Sequence, residues 1–259
     1  MRNPPDRTNT HPRAILAVFL IALTVGIGPA SSAGVRAAPD PKEVRAVIEK
    51  GVAYLRTAQQ PDGSFAPKAA GPGVTALAVV ALLRAGYTPD DPMVAKALRY
   101  LEKNVRPDGG VYAKGLANYT TSLAVLAFKL ANRDGRYDGV IAGATKFLKK
   151  LQFGDSTDPD DPRFGGVGYG GRERPDLSNT QYFVEALVEA GVPKDDPAVQ
   201  QAVVFLSRCQ NLPSEQNKLA YAAKATPEDR GGFVYNPLDA DKEDNPRRTP
   251  QGGLRSEGG

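Results

Sequence analysis

The stretch Asp176-Leu177-Ser178-Asn179-Thr180-Gln181 stands directly before an apolar run, "YFVEALVEAG", residues 182–191. A carboxylate placed there has two possible uses. Kept protonated by its surroundings, Asp176 could hand a proton to a substrate. Left ionised, it is a favourable negative charge at the start of a helix, with Ser178 or Asn179 accepting from the free backbone amides as the cap. Few other residues compete for a chemical role. The only histidine is His11 and the only cysteine is Cys209.

Acidic and glycine-rich stretches supply the remaining candidates. Asp155, Asp158, Asp160 and Asp161 in "DSTDPDD" offer oxygen ligands of the kind a hard cation such as calcium takes. The run "DADKED", residues 239–244, begins like a calcium loop. It carries Asp244 where the sixth-position glycine belongs and Pro250 where the twelfth-position glutamate belongs. Both stretches read as solvated acidic loops, and no metal site is expected. "GGVGYGG", residues 165–171, lacks the strand and the Lys-Ser/Thr of a phosphate loop. "GRERP", residues 171–175, could touch an anion but reads as a solvated turn. No cofactor is expected from any of these.

The first 38 residues have an organisation of their own. Arg2, Arg7 and Arg13 precede an apolar core, "AILAVFLIALTVGIG", and small residues follow in "PASSAGVRAA". That order is the mark of an export signal, with cleavage after Ala33 or near Ala37–Ala38. The core is short of the ~20 apolar residues that a membrane span needs. Contact with a membrane is therefore expected only through this segment, if it stays attached, and the mature protein is expected to be periplasmic, secreted or at the cell surface. The formal charge of +4 is largely the signal's, since residues 1–38 hold four arginines and one acid. The rest of the chain is nearly neutral, so no basic excess points to nucleic acid. Cleavage would also remove His11, and with it any Ser–His or Cys–His nucleophile or histidine-bound zinc. Cys209 has no partner for an internal disulfide and lies on an apolar helical pattern, as a buried structural thiol does.

Four segments of residues 40–259 align: "KGVAYLRTAQQPDGSF", "KALRYLEKNVRPDGGVY", "GATKFLKKLQF" and "QAVVFLSRCQN". Their aromatic-Leu pairs are Tyr54-Leu55, Tyr100-Leu101, Phe147-Leu148 and Phe205-Leu206, spaced by 46, 47 and 58 residues. A pair recurring at such a period predicts a helical repeat. Each unit holds a first helix, a glycine-rich turn, and a second, more apolar helix such as "VTALAVVALLRAG" or "YTTSLAVLAFKLA". Asp91-Pro92 and Asp196-Pro197 read as an N-cap followed by a first-turn proline. Since one helix pair buries only one face, the pairs must stack or close into a ring.

The first of these segments resembles the QW repeat of squalene–hopene cyclases and protein prenyltransferases, the prenyltransferase and squalene oxidase repeat proteins. Its features are Lys50-Gly51, Tyr54-Leu55, Gln59 and Gly63-Ser64-Phe65, with Gln152 and Gln210 at the same glutamine position later on. The resemblance implies an all-α fold, an α/α-toroid of repeated helix pairs. The chain has no tryptophan, and Phe65 and Phe233 stand where such repeats often carry one. Against the Asp-x-Asp-Asp-Thr motif of the class II cyclases, residues 176–180 align with Ser178 at the proton-donating position and Asp176 flanking it. A serine hydroxyl is too weak an acid for that step. The zinc set of the prenyltransferases, Asp with Cys and His, has no counterpart in the mature chain, and no DDxxD magnesium cluster is present.

Beyond Gly231-Gly232-Phe233, the fourth glycine turn, the sequence becomes polar where a further apolar helix is expected. Residues 40–259 are thus expected to form an incomplete toroid, against the about six pairs that the resemblance implies for ring closure, with apolar edges left for a partner to cover. Two functions follow. One is a binding or scaffold module for an apolar small molecule, such as an isoprenoid or lipid, or for a protein segment, with Tyr119, Tyr169, Tyr182 and Phe183 lining the surface. The other is a divergent terpenoid cyclase or prenyltransferase-like enzyme, in which aromatic rings would stabilise a carbocation and Asp176 or Glu185 would have to serve as the acid. The first is the preferred expectation, because a fold does not carry its activity with it.

Overall fold

A computed structural model describes residues 40–170 and 173–257. The N-terminal segment, with its proposed signal, and Arg172 of "GRERP" lie outside the described residues. In chain order the helices are α1 Pro41–Ala58, α2 Pro67–Ala70, α3 Pro72–Arg84, α4 Pro92–Lys103, α5 Ala117–Ala131, α6 Asp138–Leu151, α7 Leu177–Glu189, α8 Pro197–Arg208 and α9 Ala220–Ala223. A short 3-10 helix, Pro237–Asp241, follows. Only isolated β-bridges accompany them among the described residues.

The apolar pattern of each helix sets its layer. Helices α3, α5 and α7 form a central row, with α5 packed between the other two. Leu123, Ala124, Val125, Ala127 and Phe128 of α5 are all buried, which a helix with apolar residues all round requires. Helices α4, α6 and α8 lie on the outside, each against the central helix that precedes it. Each buries one stripe, such as Val94, Ala97 and Leu101 on α4. The aromatic-Leu pairs sit at the ends of these stripes, where Leu101 and Leu148 are fully buried. The capping expectation holds at both Asp-Pro sites. Asp91 accepts from the Met93 amide at 2.9 Å and Asp196 from the Ala198 amide at 3.0 Å.

The glycine turns join one unit to the next. In all four, the residue after the glutamine position donates its amide to the carbonyl of the residue that follows the turn glycine: Gln60 to Ser64, Arg106 to Gly110, Phe153 to Gly166 and Asn211 to Gly232. Gly63, Gly109 and Gly165 have φ of +96°, +94° and +82°, the left-handed region that glycine favours. A Cβ on them would overlap the carbonyl oxygens of Lys96, Gly143 and Gln201, on the next outer helix in each case. The glutamine side chain adds a stitch. Gln59 Nε2 donates to Gly63 at 3.2 Å in its own turn and to Met93 at 2.9 Å in α4. Gln152 repeats this with Gly165 at 2.9 Å and Ala198 at 2.8 Å in α8. From the other side a buried threonine of the central helix receives the turn. The amides of Phe65, Val111 and Val167 donate to Thr75, Thr121 and Thr180 Oγ1 at 2.9, 2.9 and 3.1 Å.

The fourth unit departs from this plan. No further outer helix follows its turn among the described residues. A polypeptide tail folds back instead, and Tyr221, Ala222, Val234 and Leu254 form a small second core. Asn211 Nδ2 holds the tail through the Leu254 carbonyl at 2.9 Å and Ser256 Oγ at 3.0 Å.

Two predictions follow from these joints. Replacing Gly165 by Ala strains the backbone and drives a methyl into α8, so a loss of at least about 2 kcal/mol is expected. Gly231→Ala meets no atom within 4 Å, and only the backbone cost of about 1 kcal/mol is expected. Urea unfolding of the two variants tests the difference, and equal losses would contradict the packing role of the third turn. The second concerns Asp196, which Lys149 Nζ reaches at 2.6 Å from α6. That hydrogen bond, aided by the Ala198 amide and opposed by burial, holds the Asp196 carboxyl below its usual value. A depressed carboxylate stabilises the fold above its unfolded pKa and loses this contribution as pH falls through the lowered value. Lys149→Met should therefore cost ~0.5 kcal/mol near neutral pH, and its unfolding midpoint should converge on that of the parent in acid.

Candidate functional site

Asp176 is the residue that caps α7, and the expectation that Ser178 or Asn179 would do so is corrected. The carboxylate is 4% exposed. Its Oδ1 accepts from the Asn179 amide at 2.9 Å and from Ser178 Oγ at 3.1 Å, and its Oδ2 accepts from Asn179 Nδ2 at 2.8 Å. Three donors converge on it, so it serves as an acceptor. The swap follows from backbone geometry: Asp176 is extended, with φ −147° and ψ 166°, and the chain is helical from Leu177 on. Ser178 and Asn179 are already inside the helix. Thr180, the last residue of the motif comparison, is the repeat threonine that receives the third turn and also donates to the Asp176 carbonyl at 2.8 Å.

The polar core continues behind this cap. Asn118 Nδ2 on α5 donates to the carbonyls of Gly168 at 3.1 Å and Asn179 at 3.2 Å, and its Oδ1 accepts from Ser122 Oγ at 3.2 Å. These bonds tie α5, the third turn and α7 into one unit. Asn179 Oδ1 is left buried without a partner, a cost that the surrounding bonds must offset.

Beside the cap, three of the four predicted surface aromatics come together. Tyr119 and Tyr182 meet edge to face with ring centroids 5.5 Å apart, and Tyr169 lies 6.4 Å from Tyr119. Tyr169 is exposed, and the other two are half-buried. Phe183 does not join them. It points the other way from α7 and is wholly buried in the main core, so its place as a surface residue is corrected. Helical periodicity accounts for this, since consecutive residues face about 100° apart. Burial, then the neighbouring tyrosines, pushes the Tyr119 phenol upward, so it stays a neutral donor.

Tyr235 completes the cluster and was missed by sequence reasoning. Its hydroxyl lies 3.3 Å from that of Tyr169 and 3.2 Å from Ser178 Oγ. A chain of hydroxyls thereby links exposed Tyr169 through Tyr235 and Ser178 to Asp176. Burial raises the Tyr235 phenol well above its ordinary value. The repeat register held the signal: Tyr169 and Tyr235 each stand four residues after the turn glycines Gly165 and Gly231.

The other sequence candidates lie apart from this cluster. Glu185 pairs with Arg84 of α3 at 3.5 Å, spanning α5. Among the acidic loop residues, Asp161 pairs with Arg163 at 2.6 Å, and Asp155 accepts from Gln201. Asp239 pairs with Arg174 and Lys242. Among the described residues, no group of three His, Cys, Asp or Glu side chains is placed to hold a metal ion, and the residues present do not fit a prenyltransferase zinc site. Cys209 is fully buried, and burial raises its thiol far above the usual value. Arg208 was also missed. Its guanidinium donates to the carbonyls of Pro159 and Asp161, in the loop that precedes the third turn, and of Gln216, in the segment after α8, and so ties the two together.

No curated protein matches the chain. Residues 67–230, more than half of it, match the squalene-hopene cyclase C-terminal domain. That span contains all three central helices, the three outer helices packed on them, Asp176 and the tyrosines 119, 169 and 182. With its helix pairs, glycine turns and glutamine stitches, this protein belongs to the squalene-hopene cyclase C-terminal domain family, an all-α, α/α-toroid fold.

Proposed function

We propose that this protein is an exported binding module, which holds an apolar isoprenoid-like molecule against the Tyr119–Tyr169–Tyr182 surface and does not transform it. The observation that carries this reading is the state of Asp176. Its carboxylate oxygens are occupied by three donors from its own helix start. Ser178, at the position where a cyclase acid would stand, only extends the hydroxyl chain to Tyr235. The aromatic faces remain, and unsaturated hydrocarbon packs well on such faces. Export is supported by the order of basic, apolar and small residues in the first 38 positions.

The chain contains no tryptophan to mask tyrosine emission, and four of its ten tyrosines lie in this cluster. Farnesol or squalene added in detergent is expected to change that emission with saturation. Tyr182→Ala should weaken binding at least tenfold, about 1.4 kcal/mol. Gas chromatography of the extracted ligand should return it unchanged. Asp176→Ala is expected to lower stability by about 1–2 kcal/mol through loss of the cap, and Tyr182→Ala by a similar amount through loss of its half-buried ring packing, so binding is compared between variants that remain folded. A cyclised product that disappears in Asp176→Asn would overturn the binding reading in favour of a divergent cyclase.

A further inference from the structure

Helix α1 carries apolar residues and a glycine at the contact positions of the other outer helices, but there they stand largely exposed. The aromatic-Leu register aligns Val47 of α1 with Met93 of α4 and Ala198 of α8, and Ile48 with Val94, Ile141 and Val199. Gly51 aligns with Ala97, Ala144 and Ala202. Val140 of α6, in the Val47 row, is half-buried; the other residues of α4, α6 and α8 in these rows are buried, and the three alanines are fully so. On α1, Val47 is 68% exposed and Ile48 41%, and a Cβ on Gly51 would meet nothing within 4 Å. In α4, α6 and α8 this face receives the preceding glycine turn: Lys96, Gly143 and Gln201 are the residues that Gly63, Gly109 and Gly165 touch. Lys50 is the α1 residue in that row, and it is exposed.

The opposite end of the chain has the complementary gap. Gly231 has φ +88° like its counterparts, yet a Cβ there would meet open space. Gln59 and Gln152 each donate to their own turn and to the next outer helix, whereas the Gln210 amide donates only to Gly231, at 2.9 Å. Val203 of α8 is 44% exposed, while Val52 and Leu98 in the same row of α1 and α4 are buried. Among the described residues, then, α1 is an outer helix that receives no turn, and the Gly231 turn meets no outer helix.

We infer that a second copy of this chain joins these ends: α1 of one copy docks head to tail on the Gln210–Gly231 turn and Val203 of the next. Within the chain the same joint is made three times, so its geometry is known. Gly231 would lie on the Lys50 carbonyl, and Gln210 Nε2 would find its second acceptor at Val47. Such a contact is heterologous and closes into a ring or propagates, according to the rotation that it imposes.

The test uses the purified chain. Light scattering across a concentration range is expected to show self-association, weakened at least tenfold by Val47→Glu. That residue is exposed, so circular dichroism and the melting temperature should not change. The geometry is read by mixing two single variants, Lys50→Cys and Arg230→Cys, at exposed positions. Oxidation should yield mainly 50–230 disulfides, which in such a mixture form only between copies. A monomer at all concentrations would overturn the inference. So would a predominance of 50–50 links, which would mean that α1 pairs with itself.

Discussion

The close approach of a glycine turn to the backbone of the next outer helix is the contact on which the rest of this structure depends. At Gly63, Gly109 and Gly165 a side chain would occupy space already held by a carbonyl oxygen. The left-handed backbone conformation and the absent Cβ thus serve the same purpose. A neutral amide, Gln59 or Gln152, adds two hydrogen bonds across the joint. A buried threonine hydroxyl secures the turn from the central row. Each turn is thereby held by the helix before it, the helix after it and the central helix beside it. The spacing between units is set by backbone contact and tolerates little variation in side-chain packing.

The candidate site is a by-product of one such joint. The third turn ends at Tyr169, the α7 cap lies directly beneath it, and α5 contributes Tyr119 from the neighbouring unit. Asn118 joins the three through two backbone carbonyls. Such a polar cluster inside a helical protein is demanding, because each buried group left unpaired costs about 1–3 kcal/mol. Here nearly every group is paired, with Asn179 Oδ1 the exception. The economy of that arrangement explains why residues 176–180 look chemical in a sequence and behave structurally in space. Asp, Ser, Asn and Thr are the residue types that acid catalysis and helix capping both employ.

Family membership constrains the architecture far more tightly than the chemistry. The joints use a glycine and a threonine at set intervals, which the chain keeps in three successive units, and a glutamine in two of them. The aromatic surface needs only rings near the turn ends, which several side chains can supply. A member of the squalene-hopene cyclase C-terminal domain family can therefore keep the scaffold while the side chains around its turn ends vary.

The helical repeats and the glycine turns between them were legible from spacing alone, because apolar periodicity and glycine position are local properties of the chain. The Asp91 and Asp196 caps with their first-turn prolines, and the buried Cys209, were legible for the same reason. The identity of the α7 cap was not. It turned on whether Asp176 or Ser178 was the last extended residue, a one- or two-residue boundary that propensity does not resolve. Phe183 and Tyr182 are equally apolar to a periodicity argument, and only the packing of α7 against α5 sent one into the core and left the other half-exposed. Tyr235 entered the cluster because the tail after α8 folds back on the third unit, a contact 66 residues from Tyr169 along the chain. The repeat register matches the two tyrosines in position, but their pairing leaves no local trace, since the entropy of closing such a loop is met by contacts that exist only once the chain has folded.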